Sequence, residues 1–182
     1  MTAATKAAVQ AVGGLVLAGL VGACDILRDR NPPPPCPRVR MLADTANLVD
    51  FRGPGRDLTD VAFEAEITGV DAVCDYNKAR TEVTVTTKIS LIGTRGPATP
   101  GAAALEVPFY VAITDVAENI IAKETFGSKL EFQQSRRRIG VVEEISQKIP
   151  LAGRRPSEYE ILVGLQLNAD QLEFNRKARL QR

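Results

Sequence analysis

One stretch of twelve residues, TEVTVTTKISLI at positions 81–92, restricts the fold more than any other part of the sequence. Apolar or β-branched side chains occupy every second position, and polar side chains occupy most of the positions between them. A period of two places the first group on one face of a half-buried strand. That face needs a second layer to cover it, so the stretch predicts a packed β protein. The residues on the apolar face are Val83, Val85, Thr87, Ile89 and Leu91.

The same alternation returns in three other segments. Residues 139–151 are compatible with strand or helix, and we interpret them as a further strand because their apolar side chains mostly keep an even spacing. Turns rich in Gly, Pro, Asn and Asp separate these segments. The alternating residues are Phe63, Ala65 and Ile67; Val107, Phe109, Val111 and Ile113; and Tyr159, Ile161, Val163, Leu165 and Leu167.

This spacing of strands and turns predicts an all-β domain over residues 36–167. Its simplest form is an immunoglobulin-like antiparallel β-sandwich of about seven strands. Tyr159 follows a polar corner and is a candidate for the corner tyrosine of such a sandwich. A lipocalin-like barrel is the alternative, although it would need a more continuous series of hairpins.

The carboxy-terminal segment, residues 168–182, has the composition of a helix. Asn168 and Gln171 have the spacing of a capping box, and basic residues accumulate toward the end. We expect a short helix that packs on the sandwich through Leu172 and Phe174. The basic residues Arg176, Lys177, Arg179 and Arg182 are predicted to form a solvated tail.

The amino-terminal segment has the pattern of an export signal. A polar start that carries Lys6 is followed by an uncharged apolar run over residues 11–22, and small residues precede Cys24. A membrane-spanning helix needs about 20 predominantly apolar residues, and this run is shorter and rich in glycine and alanine. Residues 1–23 are therefore predicted to be a signal peptide.

The four residues Val21-Gly22-Ala23-Cys24 resemble the lipobox of bacterial lipoproteins. The resemblance implies that Cys24 becomes the first residue of the mature protein and carries acyl chains that anchor it to the membrane on its periplasmic face. Asp25 is similar to the signal that retains lipoproteins in the inner membrane of enteric bacteria, and the outer membrane is the alternative. An uncleaved anchor and ordinary secretion also stay open. The remaining chain resembles uncharacterised envelope lipoproteins of Gram-negative bacteria, and that resemblance assigns no activity.

Residues 24–35 include the run PPPP and favour an extended tether. With Cys24 assigned to lipid, Cys36 and Cys74 are the remaining cysteines, and an oxidising compartment permits a disulfide between them. Their segments, 38–51 and 61–76, are expected to be neighbouring antiparallel strands, which would bring the two cysteines together. An unpaired, buried Cys74 is the alternative.

Composition argues against several classes of function. The chain has no histidine and no tryptophan, and its 23 basic residues balance 22 acidic ones. The balance gives no indication of nucleic-acid binding, and no nucleophile or metal-ligand motif is present. We therefore expect no enzyme activity, no cofactor and no metal; calcium at loop residues such as Asp71 and Asp75 is a weak alternative because the loop pattern is missing.

The one dense basic cluster is Arg136, Arg137 and Arg138, in the sequence SRRRIG. These residues are candidates for contact with anionic headgroups or with a partner, and a solvated hairpin turn is the alternative.

The predicted function is that of a noncatalytic periplasmic lipoprotein that serves as a structural or protein-interaction module of an envelope complex. A carrier that holds a lipid or other apolar ligand between its sheets is the alternative. A hydrolase that uses two carboxylates is the third possibility, and it requires two acidic side chains in one cleft.

Overall fold

Two four-stranded β-sheets dominate the computed structural model, which describes residues 32, 34–133 and 135–180. The predicted signal peptide, Cys24, Asp25, most of the predicted tether and Arg182 lie outside the described residues. Sheet A has the order β1-β8-β5-β6, and sheet B has the order β2-β3-β4-β7. The strands are β1 (Arg38–Met41), β2 (Asn47–Phe51), β3 (Val61–Tyr76), β4 (Glu82–Arg95), β5 (Ala104–Asp115), β6 (Ile120–Glu131), β7 (Arg138–Pro150) and β8 (Tyr159–Leu165).

The predicted all-β, sandwich-like architecture is confirmed, with eight strands in the described residues rather than about seven. Neighbouring strands are antiparallel except for β1 and β8, which pair in parallel. The ambiguous segment 139–151 is a strand over most of its length, as β7.

The core lies between the two sheets and contains most of the side chains that the alternation assigned to the inner faces, together with others such as Leu48, Leu105 and Leu130. In β4, the inward residues from Val83 to Leu91 are buried, including Thr87, whereas the residues between them reach the outer face. The inner face of sheet A contributes residues from β5 and β8, which pair directly with each other. The largest fully buried side chains are Phe109, Ile67, Ile89, Leu91, Leu130, Ile161 and Leu165.

The segment 38–51 differs from the single strand that was expected. It forms β1 in sheet A and β2 in sheet B, and a short 3-10 helix at Ala43–Thr45 carries the chain from one sheet to the other. Only β2 pairs with β3 in the antiparallel manner that was predicted. The chain can pass from one sheet to the other only because the two sheets are stacked. The local sequence pattern does not contain that information.

The predicted carboxy-terminal helix is present as α1 (Ala169–Leu180). The side-chain oxygen of Asn168 accepts from the backbone N–H of Gln171 at 2.9 Å, and the side-chain oxygen of Gln171 accepts from the N–H of Asn168 at 3.0 Å. The ring of Phe174 packs edge-on against Phe51, with 5.3 Å between their centroids. In the described part of the chain, α1 and the other helical segments all lack the length and hydrophobicity that a membrane span requires.

The basic residues Arg176, Lys177 and Arg179 of α1 are exposed, as predicted, and each also forms an ion pair. Arg176 and Arg179 both contact the carboxylate of Asp44, which lies in the 3-10 helix between β1 and β2, and Lys177 pairs with Glu173 along the helix. Asn175 adds hydrogen bonds to the carbonyl oxygens of Asp44 and Asn47. The helix is therefore held against the edge of sheet B by polar contacts as well as by Phe174.

Candidate functional site

The sandwich has two ends, and the strand register assigns each loop to one of them. We call the end with Cys74, the β3–β4 turn (residues 77–81) and the β5–β6 turn (residues 116–119) the disulfide end. The opposite end carries the loops 52–60, 96–103 and 132–137, and we call it the arginine end.

The disulfide end is where the chain enters the domain. The Sγ atoms of Cys36 and Cys74 form a disulfide, and their Cα atoms are 5.8 Å apart, an ordinary separation for such a bond. The hydroxyl of Tyr76 donates to the carbonyl oxygen of Pro35 at 3.0 Å, and partial burial raises the pKa of Tyr76. Cys36 lies just before β1 of sheet A and Cys74 lies in β3 of sheet B, so the bond joins the entering segment to sheet B.

Arg138 is far from this point of entry. Cys74 pairs with Val85, which pairs with Gln147 in β7, whereas Arg138 pairs with Thr94 at the other end of β7. Nine residue steps of extended strand separate Gln147 from Arg138, which corresponds to about 30 Å. The predicted basic cluster and the disulfide therefore occupy opposite ends of the domain.

A buried arginine, Arg95 at the end of β4, organises the arginine end. Its side chain is only 6% exposed. The guanidinium donates to four backbone carbonyl oxygens, in two different loops, and stacks over the ring of Phe132 at 5.1 Å. The accepting oxygens belong to Pro100 (3.2 Å), Ala102 (3.1 Å), Gln133 (3.3 Å) and Arg136 (2.6 Å).

Arg137 completes this connection. Its backbone carbonyl accepts from the N–H of Arg95 at 2.8 Å, and its guanidinium donates to the carbonyl oxygen of Arg95 at 3.1 Å. The backbone that carries the basic cluster is thus fixed on both sides by Arg95. A loop held in this way presents its exposed side chains from a defined position, which reduces the entropy cost of binding.

Arg136, Arg137 and Arg138 are all exposed, and two further exposed arginines, Arg52 and Arg56, lie in the loop that follows β2. None of the five forms an ion pair with a carboxylate in the part of the chain that the structure describes. The arginine end is therefore a cationic surface with unneutralised side chains.

The glycine-rich loop GPGRD contributes to this end as a turn. Arg56 forms no ion pair with its neighbour Asp57 in the described structure. It donates to the carbonyl oxygen of Gly55 at 2.7 Å and lies over the ring of Phe51 at 5.1 Å. Asp57 instead forms a reciprocal cap with Asp60 at the following 3-10 helix. The loop is fixed by its own hydrogen bonds and leaves Arg56 exposed.

An open groove of about 580 Å³ lies next to the arginine end, between α1 and the outer face of sheet B. Glu64 and Arg138 lie two strands apart in one cross-strand row, with Thr94 between them. Glu66 lines the next part of the groove, and Phe174 and Arg179 line it on the helix side. Two carboxylates thus share one groove, although both are exposed.

The geometry of Asp71 and Asp75 does not favour the calcium alternative. Asp71 and Asp75 are exposed on the outer face of β3, four residues apart, so extended backbone separates their Cα atoms by about 13 Å. No group of three or more potential metal-ligating side chains of the His, Cys, Asp and Glu types occurs among the described residues.

Sequence reasoning missed Arg95, although a signal for it existed. Position 95 continues the odd-numbered inward face that begins at Val83, so an arginine stands where the alternation calls for an apolar residue. A charged residue is almost never fully buried unless its donors are satisfied. An arginine at an inward position of the strand therefore indicates a buried guanidinium whose N–H groups are given hydrogen-bond acceptors by the fold.

We compared the chain with protein families, curated proteins and solved structures. No family model matches the chain, and it matches neither a curated protein nor a solved structure.

Proposed function

We propose that this protein is a noncatalytic lipoprotein, anchored through acylated Cys24 on the periplasmic face of a bacterial membrane, whose arginine end binds an acidic surface of another envelope protein. One observation carries the proposal: the chain enters the domain at the disulfide end, and the unpaired arginines cluster about 30 Å away at the opposite end. An anchor attached through the disulfide end leaves the arginine end free to contact a protein partner. Contact with a partner is therefore favoured over contact with headgroups for Arg136, Arg137 and Arg138.

The charge of the arginine end supports an acidic partner. Interfaces are enriched in arginine, whose planar guanidinium binds carboxylates through paired hydrogen bonds. Arg95 supports the same reading, because it fixes the loop that carries the cluster. Asp25 favours the inner membrane for this anchor.

The immunoglobulin-like character of the sandwich is part of the proposal. Two packed sheets and the buried hydroxyl of Tyr159 support it; this hydroxyl donates to the carbonyl oxygens of Pro150 and Leu151, upstream of it, as a corner tyrosine does. A fold of this kind serves recognition through the loops at its ends.

The carrier alternative places its ligand between the two sheets, where the inner faces pack together as the hydrophobic core. The groove under α1 is the other place that a carrier could use, and it is the one that a hydrolase would need. An apolar ligand would have to displace water from Glu64, Glu66, Arg138 and Arg179, which line it, and the desolvation of these charges opposes its binding. A hydrolase would use Glu64 and Glu66, and Glu64→Gln with Glu66→Gln would then abolish turnover of its substrate. The interaction module needs neither carboxylate.

Photo-crosslinking in intact cells tests the proposal. A photoreactive amino acid in place of Ser135, beside the arginine cluster, should give a crosslink to one envelope protein. The same amino acid in place of Val142, which is exposed on the outer face of β7, is the matched control and should not give this product. The triple variant Arg136→Glu, Arg137→Glu, Arg138→Glu should lose the crosslink; an unchanged crosslink in that variant would rule out the arginine end as the contact.

A further inference from the structure

Three aliphatic side chains are exposed at the disulfide end, one in the β5–β6 turn and two at the start of β6. Val116 is 75% exposed, Ile120 is 65% exposed and Ile121 is 51% exposed. Asp115, which precedes them, pairs with Tyr159 at the start of β8, and the Tyr159 hydroxyl contacts the end of β7. The turn is therefore fixed at the same end as the disulfide, with an apolar tip that faces solvent.

Basic side chains lie on two neighbouring turns of that end. The β3–β4 turn carries Lys78 and Arg80, and the turn after β7 carries Arg154 and Arg155, all exposed. A hydrogen bond of 2.8 Å from the N–H of Leu151 to the carbonyl oxygen of Thr81 joins the two turns.

Two acidic side chains at this end, those of Asp115 and Glu158, are engaged locally, and Asp75 and Glu82 flank the β3–β4 turn. Asp115 accepts hydrogen bonds from the side chain of Asn119 and the backbone N–H groups of Ala117 and Asn119. Glu158 accepts from the N–H of Arg155 and lies 3.6 Å from its guanidinium. Glu118, in the same turn as Val116, is the exposed acidic residue nearest to the apolar tip in sequence.

The same end receives the chain from its anchor. Eleven residues, Asp25 to Pro35, separate Cys24 from Cys36, and a chain of that length spans at most about 40 Å. The disulfide and the Tyr76 hydrogen bond fix where this segment ends. The disulfide end is consequently the part of the domain that the tether joins to the proposed anchor.

We propose that the disulfide end docks on an anionic phospholipid surface, with Val116, Ile120 and Ile121 entering the headgroup region and the basic turns contacting lipid phosphates. This inference rests on the proposed lipid anchor. Exposed aliphatic residues flanked by cations are the combination that binds at a membrane interface, because apolar burial and attraction to anionic headgroups act together. Docking orients the domain, so that the arginine end points away from the membrane.

The absence of tryptophan from the chain gives a direct probe. Ile121→Trp places a single tryptophan at the tip, and Val142→Trp places one on the outer face of β7 as the matched control. The full lipidated protein is reconstituted in vesicles of phosphatidylcholine and phosphatidylglycerol, with or without brominated acyl chains. The Ile121→Trp emission should shift to the blue and be quenched by the brominated lipid, whereas the Val142→Trp emission should not change.

A charge-reversal pair tests the cations. Lys78→Glu with Arg154→Glu should reduce the quenching of the tip probe, and Arg136→Glu with Arg137→Glu should leave it unchanged. Circular dichroism of each variant checks that the fold is retained.

Vesicle flotation separates this inference from the anchor on which it rests. If the protein floats with vesicles but the tip probe is neither shifted nor quenched, docking is wrong and the anchor stands. If the protein does not float, both fail. A blue shift that depends on protein concentration in the absence of vesicles would show that a second copy covers the tip, and would overturn the lipid assignment.

Discussion

The guanidinium of Arg95 donates a hydrogen bond of 2.6 Å to the backbone carbonyl oxygen of Arg136. This contact joins the sheet to the loop that presents the basic cluster. Arg95→Leu leaves four loop carbonyls without their donor, and we expect it to lower the free energy of unfolding by about 3 kcal/mol. Arg136→Ala keeps the accepting carbonyl and should change it by less than about 0.5 kcal/mol. Urea denaturation measures the free energy of unfolding of both variants. Equal values would contradict the conclusion that Arg95 holds the loop through its hydrogen bonds.

The disulfide is expected to stabilise the domain substantially. The two cysteines are 38 residues apart, and closing a loop of that length contributes about 4 kcal/mol in the chain-entropy model. The double variant Cys36→Ser, Cys74→Ser should lose that amount in urea denaturation under oxidising conditions. The wild-type protein with a thiol reductant is the control and should match the variant. A wild-type midpoint that does not respond to the reductant would show that the bond contributes nothing to stability.

The buried hydroxyl of Tyr159 closes the corner between β7 and β8. It donates to the carbonyl oxygens of Pro150 and Leu151 at 3.0 and 3.1 Å. Tyr159→Phe removes both hydrogen bonds and should cost about 1.5 kcal/mol of unfolding free energy. Tyr76→Phe is the matched control, because it removes a single hydrogen bond, to Pro35, that is exposed to solvent. It should lower the free energy of unfolding by about 0.5 kcal/mol. If the two substitutions lower the free energy of unfolding equally, the hydrogen bonds of Tyr159 stabilise the domain no more than the exposed one of Tyr76, which would contradict the corner role.

The β5–β6 turn should loosen in acid. Hydrogen bonds from the Asn119 side chain and backbone, and from the Ala117 N–H, lower the pKa of the Asp115 carboxyl. Since this pKa is depressed in the folded protein, the ionised carboxylate stabilises the turn above the ordinary aspartate pKa of about 4. That stabilisation is lost as the pH falls through the lower, folded value.

Amide NMR at Ala117 and Asn119 measures this transition. In wild-type protein, both amides should titrate below the ordinary aspartate range. Asp115→Asn removes the titrating group, so the transition should disappear. Titration at the ordinary value, or an unchanged profile in the variant, would contradict the assignment to Asp115.

The sequence predicts the strands much better than their connections. Val83, Val85 and Ile89 could be assigned to the core because alternation is a local property of the chain. The division of 38–51 between two sheets could not be predicted, since Ala43–Thr45 crosses the edge of a sandwich that exists only after the sheets stack.

The functional surfaces show the same contrast. The composition of the cluster Arg136 to Arg138 was visible in the sequence, but its position relative to Cys74 depends on the register of β3, β4 and β7. Val116 and Ile120 are unremarkable in sequence, because an apolar residue in a turn or at the start of a strand becomes an exposed tip only when nothing in the fold covers it. Long-range pairing thus decides which surface each end presents.

The central claim is that Cys24 anchors the chain to the membrane, so that the disulfide end and the arginine end of the domain have different surroundings. Intact-mass and fragment-ion spectrometry of the mature protein, purified from bacterial membranes, tests it most directly. The account predicts an amino-terminal fragment that begins at Cys24 and carries acyl chains. A fragment that begins with Met1, or an unmodified amino terminus at any position, would contradict it.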